Sequence, residues 1–90
     1  MSVNTFQLTC FLAMADCLSF AQTARRLHVT QPAVTYQIKS LEQELGVPLF
    51  VRKHRGADLT PEGCGFLEDA RTILALETRA KSRFDGAKTE

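Results

Sequence analysis

Ninety residues hold one hydrophobic core but not a catalytic domain with a second lobe, because single cores run from roughly 50 to 200 residues. Apolar residues at 44% and charged residues at 23% match an ordinary folded chain and exclude wholesale disorder and low-complexity repeats. The net charge of +1 conceals an uneven distribution: residues 19–60 hold six Lys or Arg against three acids, +3, while the remainder carries −2, a first sign of a polyanionic partner.

Asn4 and Gln7 stand three apart ahead of Leu8, Phe11, Leu12 and Ala15, a capping-box spacing followed by a helical stripe, and predict a first helix over residues 5–16. Ser19 and Gln22 repeat the box, with Ala24 and Leu27 on one face, so a short second helix is expected over 20–27. Thr30 is a good N-cap, and Pro32 falls in a first turn where its missing N–H costs nothing. Val34, Ile38, Leu41 and Leu45 then form one stripe until Gly46 and Pro48 end the helix, which gives a third helix over 31–45. Leu49 to Val51 reads as a short strand, Arg55-Gly56 as a turn and Ala57 to Leu59 as a return strand. Thr60 caps a last helix that starts at Pro61 with Glu62 at the positive dipole end. Nothing interrupts it until Asp85-Gly86, so it spans residues 61–84, about 36 Å, longer than a small globule needs.

Only His28 and Val29 separate the second and third helices, so the chain must turn steeply between them, as in a helix-turn-helix unit or an ordinary αα-corner. The two readings part at the far face of the third helix, where Pro32, Thr35, Tyr36, Lys39 and Gln43 cluster, Gln31 sits in the first turn, and no acid is expected. Gln31 can pair with adenine, Ala33 and Thr35 can touch a thymine methyl, and Thr30 with the helix N-terminus can hold a phosphate. A merely solvated polar face is the competing explanation. Arg52, Lys53, His54 and Arg55 place four cations or donors at a hairpin tip, the composition of a wing that meets phosphates or the minor groove, or of a charged edge that deters aggregation. The expected architecture is mainly α: a winged helix-turn-helix over residues 1–60, then a long C-terminal linker helix and tail over 61–90.

Along the last helix, Phe66, Ile73 and Ala80 recur every seven residues, Ala70 and Phe84 lie fourteen apart, and Leu67 and Leu74 flank the same side. The band is too wide for one neighbour. Part should rest on the first helix, whose Phe6, Cys10 and Met14 form a second stripe, and part on a second copy of the chain. The expected dimer interface is therefore Phe6, Cys10, Met14, Phe66, Ala70, Ile73, Leu74, Glu77 and Ala80, with Glu77 paired to Arg79 or Lys81 of the other copy or at the rim.

Ser19-Phe20, Ala24, Leu27, Thr30-Gln31-Pro32-Ala33, Thr35, Gln37-Ile38, Leu41-Glu42, Leu45-Gly46, Leu49-Phe50, Arg52, Arg55-Gly56, Leu59-Thr60-Pro61 and Gly63 together resemble the N-terminal winged helix-turn-helix of LysR-type transcriptional regulators. The resemblance covers nearly the whole chain. It implies that Gln31, Pro32, Ala33, Thr35 and Tyr36 occupy major-groove positions, that Arg55 is the wing residue, and that residues 61–84 pair two subunits. Double-stranded DNA with an interrupted inverted repeat is then the implied partner, read by a homodimer or, in the full-length regulator, a tetramer. Tyr36 stands where many members carry arginine, and Leu18 replaces a frequent small residue. Members of the family continue into an effector-binding domain of two α/β lobes, which the resemblance places outside these residues.

Cys10, Cys17 and Cys64 are odd in number and form no C-x-x-C pair, which argues against a disulfide framework and a zinc site. Cys64, in the first turn of a helix, is the candidate for redox sensing, set against a plain thiol. His28 and His54 have no acidic partner at catalytic spacing, and Glu68-Asp69 are helix neighbours that point apart, so neither an enzyme nor a cofactor is expected. No apolar run approaches the roughly 18 residues of a membrane span and no charged-then-apolar leader opens the chain, so a cytoplasmic location without a membrane partner is expected. An adaptor that binds protein through the same helices, or a bare dimerisation module, are the competing functions. Steep weakening by salt would mark a DNA binder.

Overall fold

Each of the first three helices starts where a side chain satisfies an amide that the helix itself cannot pair. The computed structural model describes residues 2–85, arranged as α1 (Thr5–Cys17), α2 (Phe20–Leu27), α3 (Gln31–Leu45), β1 (Phe50–Lys53), β2 (Gly56–Leu59) and α4 (Pro61–Asp85). At α1 the capping box is complete, with Gln7 N–H donating to Asn4 Oδ1 at 2.8 Å and Asn4 N–H to Gln7 Oε1 at 2.9 Å. Gln7 is buried as well, and its Nε2 donates to Ser40 Oγ at 2.9 Å, tying the start of α1 to α3. At α2 only half of the expected box forms: Ser19 Oγ accepts from Gln22 N–H at 3.2 Å, while Gln22 itself is exposed. Thr30 Oγ1 caps α3 through the Ala33 amide at 3.2 Å.

The ends differ from the sequence reading in instructive ways. α1 runs one residue further, to Cys17, and closes on Leu18 in the left-handed region at φ 54°, with Leu18 N–H on Met14 O at 2.7 Å. That conformation costs any residue with a Cβ roughly 1–2 kcal/mol, a cost Leu18 bears in closing the helix. The strand pair is shifted, because Leu49 is buried beneath the sheet instead of paired within it, and pairing extends outward to Lys53↔Gly56. The two-residue turn is accordingly His54-Arg55. α4 is described to Asp85; its expected stop at Gly86 and the tail to residue 90 lie outside the described residues.

The interior centres on Phe11 of α1, whose ring lies 5.6 Å from that of Phe50 and 5.2 Å from that of Phe66, joining α1 to β1 and α4. Leu8, Cys10, Met14, Val34, Ile38, Leu41, Leu49 and Ala70 complete the core around it. This overturns one expectation: Cys10, Met14 and Ala70 are buried within the chain's own core and offer nothing to a second copy. The reason is that α1 is enclosed from several directions, by α2 and α3 as well as by α4, so both of its apolar stripes are consumed internally. The buried polar side chains are satisfied, with Thr23 Oγ1 donating to Ser19 O at 2.7 Å and Thr60 Oγ1 to Pro48 O at 2.7 Å.

Leu49 is the joint of the fold. Its N–H and that of Phe50 donate to the Glu42 carboxylate at 2.7 and 3.2 Å, and its carbonyl accepts from Thr60 N–H at 3.0 Å. Gly63, in the first turn of α4, presses against the same carbonyl so closely that a Cβ there would sit 2.3 Å from the Leu49 oxygen and 2.8 Å from Leu59 Cδ2. Replacing a helical glycine ordinarily stabilises by about 0.5–1 kcal/mol. Gly65→Ala, with open space around its Cβ, should show that gain, whereas Gly63→Ala should cost about 1–3 kcal/mol through the clash. Urea unfolding of both variants checks the opposite signs.

Burial also pushes the Cys10 thiol up, from 9.0 to about 11. The unfolded chain gives up this proton near pH 9 while the folded chain keeps it, so stability is intact below pH 9 and is lost as pH rises toward 11. The loss should reach about 1.4 kcal/mol at pH 10. Unfolding at pH 7 and pH 10 should show a shallower alkaline decline in Cys10→Ala than in the parent chain.

Candidate nucleic-acid interface

The turn between α2 and α3 is built from the backbone. His28 adopts the left-handed region at φ 59°, its N–H meets Arg25 O at 3.3 Å, and Val29 N–H meets Ala24 O at 3.0 Å. Two residues later Thr30 starts α3, so the chain reverses with no slack. With Val34, Ile38 and Leu41 buried, the opposite face of α3 is turned outward: Thr30, Gln31, Pro32, Tyr36 and Lys39 are exposed, and Ala33 and Thr35 are half-buried. The expectation that this face has no acid needs correction at its C-terminal end, where Glu42 lines the same cleft as Thr35 and Lys39. The carboxylate is already engaged there, one oxygen accepting from the Leu49 and Phe50 amides.

The wing is an antiparallel pair with register Phe50↔Leu59, Val51↔Asp58, Arg52↔Ala57 and Lys53↔Gly56. The turn end of β2 is fixed to the α1–α2 turn, since Ala57 N–H donates to Leu18 O at 3.1 Å. Gly56 is required at that contact: at φ 120° a Cβ would come within 2.3 Å of Leu18 O. The glycine therefore serves a close backbone approach more than the turn itself. Arg52, Lys53, His54 and Arg55 are all exposed, yet their circumstances differ. Lys53 is paired across the hairpin with Asp58 at 2.9 Å, and the Arg52 guanidinium lies over the Phe20 ring at 4.2 Å. His54 and Arg55 occupy the tip without a carboxylate partner among the described residues. Between α3 and the wing is a cleft of about 260 Å³ whose walls include Phe20, Thr35, Lys39, Glu42 and Arg52. The sequence reading singled out most of the basic side chains but missed Phe20 and Glu42; their part depends on which strand residue faces α3, a register the sequence does not declare.

A second surface lies along α4. From Ala75 to Asp85 every residue except the half-buried Glu77 is exposed, and the exposed apolar side chains are Ile73 (45%), Ala75, Leu76 (55%), Ala80 and Phe84 (66%), with Phe6 of α1 (39%). Phe66 and Leu74, placed by the sequence at a dimer seam, are half-buried against the chain's own core. Leu76 was missed, because the seven-residue repeat drew attention to Ile73 and Ala80. Glu77 accepts a hydrogen bond from Thr5 Oγ1 of its own chain, which binds the N-terminus of α1 to the middle of α4. The three cysteines are free, Cys64 exposed and Cys10 buried, and no group of metal-ligating side chains occurs among the described residues. No helix among them is long and apolar enough to cross a membrane.

Three helices with a two-stranded hairpin after the third, followed by a long fourth helix, define a winged helix-turn-helix domain with a linker helix. The family model of the bacterial regulatory helix-turn-helix proteins, lysR family, matches residues 6–64, and the chain belongs to that family. The HTH-type transcriptional regulator TcbR of Pseudomonas sp. (strain P51) is 51% identical over 77 residues, covering 86% of this chain and 26% of its own length. ClcR of Pseudomonas putida is likewise 51% identical, over 79 residues covering 86% and 27%. The chain thus spans about a quarter of the length of these curated relatives, which are transcriptional regulators. Among solved structures, the CbnR_DBD-DNA complex superposes with a TM-score of 0.87 at 47% identity, covering 97% of this chain and 98% of that one. The BenM_DBD/catB site 1 DNA complex gives 0.85 at 31% identity over 100% and 99%.

The Glu42 carboxylate holds the wing to α3, and its removal would leave the buried Leu49 amide unpaired. Hydrogen exchange of Glu42→Ala should show the Leu49 and Phe50 amides opening at least about fivefold faster, the equivalent of 1 kcal/mol, and by more than any loss of protection in α1, which reports global unfolding.

Proposed function

We propose that this chain binds double-stranded DNA as the reading head of a lysR-family transcriptional regulator, with α3 in the major groove and the wing on the backbone or in the minor groove. The observation that carries the reading is that α3, through Thr35 and Lys39, and the wing, through Arg52, flank one cleft, so both can reach the same duplex. Solved DNA complexes of the same fold at 47% and 31% identity support it. Gln31, Ala33, Pro32, Thr35 and Tyr36 would meet base edges, Thr30 and the start of α3 a phosphate, and Lys39, Arg52, His54 and Arg55 the backbone or minor groove. Tyr36 offers a hydroxyl and a ring in place of a bidentate guanidinium, which shifts the preference there away from guanine. Catalysis has no place in this reading.

We infer further that residues 1–60 are the reading head and that residues from 61 onward form the linker through which two copies pair. Phe6, Ile73, Leu76, Ala80 and Phe84 are the apolar groups left for that seam. Charge favours an antiparallel pair: the first half of α4 sets Glu62, Glu68 and Asp69 against Arg71, net −2, and the second sets Arg79, Lys81 and Arg83 against Glu77 and Asp85, net +1, so reversal brings opposite signs together. A two-fold pair of heads matches an interrupted inverted repeat with half-sites about one helical turn apart or a multiple of it, about 34 Å per turn.

Gln31→Ala and Thr35→Ala should each lose about 1–3 kcal/mol of preference for a site selected from random duplexes, while keeping most binding to scrambled DNA. Arg55→Ala should weaken both and reduce the slope of log affinity against log salt by about 1. Equal weakening of Gln31→Ala on both duplexes would remove that residue from base reading. Leu76→Asp should abolish cooperative binding to paired half-sites and convert a dimer to monomers in sedimentation, because a carboxylate there would be buried unpaired. A parent chain that sediments as a monomer at tens of micromolar would instead exclude α4 as a seam sufficient by itself, concentrations of that order being where weak dimers dissociate.

A further inference from the structure

We propose that Phe20 is a positioning residue for DNA binding: its ring holds the Arg52 guanidinium at the mouth of the cleft between α3 and the wing, where Arg52 and Lys39 grip one backbone phosphate. This rests on the DNA-binding reading and names a contact within it. The basic residues of the middle of the chain are not equivalent. Arg26 is tied to Asp16 at 2.9 Å and Lys53 to Asp58 at 2.9 Å, so their charges are partly answered within the head. Lys39 and Arg52 have no carboxylate within ion-pair distance among the described residues, and both border the same concave space. Glu42 borders it too, but one carboxylate oxygen is held by the Leu49 and Phe50 amides. The cleft therefore presents two cations without a carboxylate partner against one acid with a single oxygen already held, a net positive chemistry suited to a single phosphate.

The stack decides how Arg52 is presented. The Arg52 Cζ lies 4.2 Å from the centre of the Phe20 ring, and no side-chain hydrogen bond or ion pair of Arg52 occurs among the described residues, so its N–H groups are available to phosphate oxygens. The ring is itself fixed: Phe20 is the first residue of α2, packs against the core, and follows the Ser19 cap. A strand-borne arginine is thus oriented by another element, and the rotamer freedom it would lose on meeting DNA is already restricted. The Phe20 ring acts on DNA only through Arg52.

The test measures anisotropy of a fluorescein-labelled duplex of mixed sequence titrated with the whole chain across a salt series. Arg52→Gln should lower the magnitude of the salt slope by about 1. Phe20→Leu should weaken binding about two- to fivefold, the worth of an exposed cation–π contact, with the slope unchanged because the charge still reaches the phosphate. Phe20→Tyr, which keeps a ring, should bind like the parent chain. In the Arg52→Gln background, Phe20→Leu should cost nothing further. Equal losses from Phe20→Leu in both backgrounds would assign the ring a purely structural role and overturn the proposal, as would no loss in either. Unchanged affinity and slope in Arg52→Gln would remove the phosphate grip, whereas a parent chain that binds no duplex at low salt would reject the DNA-binding reading itself.

Discussion

One peptide unit carries the geometry of the whole head. Leu49 has its side chain in the core, its N–H on a carboxylate of α3 and its carbonyl on the amide that precedes α4, with a glycine of α4 pressed against the same oxygen. A loop residue after a proline would ordinarily be a loose connection. Here three elements meet on it, so the wing cannot swing without breaking the hydrogen bond to Glu42, and α4 cannot change direction without moving the Leu49 carbonyl. Buried amides left unpaired cost about 1–3 kcal/mol each, which is large against the stability of a small domain. The arrangement of α3, wing and linker is therefore specified at one point, and the two surfaces that would touch DNA move as a unit.

That rigidity matters because the chain has little net charge with which to attract a polyanion. At +1, long-range steering is weak, and whatever affinity arises must come from where the cations stand. Several are already engaged: Arg26 with Asp16, Lys53 with Asp58, and Arg52 with an aromatic ring. Of those without a carboxylate partner among the described residues, Lys39, Arg52 and Arg55 stand on α3 and the wing, while Arg25 lies on α2 and Arg79, Lys81 and Arg83 on α4. A fixed head with few, well-placed charges binds through geometry, whereas a strongly basic tail would bind through numbers.

The helices were readable because their signals are local. Asn4, Ser19 and Thr30 announce three starts through side chains that act within three residues, and the stripe of Val34, Ile38 and Leu41 declares which face of α3 is hidden. The outward residues Gln31, Pro32, Tyr36 and Lys39 follow by subtraction. Non-local facts were not readable in this way. Cys10, Met14 and Ala70 looked like a stripe for a second subunit because periodicity shows that a face is apolar but not which neighbour covers it, and α1 proved to be covered by its own chain. Glu42 has no sequence signature as the support of a strand seven and eight residues later, and the Gly56 approach to Leu18 joins positions nearly forty apart. The wing was right in kind, but its first strand starts one residue later and runs two further and its second starts one earlier, since a run of Leu-Phe-Val does not say that its first member belongs to the core.

The linker helix brings these threads together. Thr5 holds Glu77, so α4 is attached to the head well beyond its first turns, and only the stretch after it stands clear. In a two-fold pair this leaves little hinge between head and seam, and the separation of the two α3 helices becomes a function of where the two α4 helices cross. Slipping that crossing by one helical turn moves the heads by about 5.4 Å, between one and two base pairs at about 3.4 Å each. In such a pair the seam residues would have a task beyond adhesion. Ala80 is small between the larger Leu76 and Phe84, and a small position flanked by large ones permits one close approach and penalises its neighbours by a turn in either direction. Since Gly63 fixes the direction in which α4 leaves Leu49, and Glu77 fixes it again at mid-length, a register chosen by Ala80 would be transmitted to the DNA as a spacing. Half-site separation would then be set by packing in a helix that touches no base.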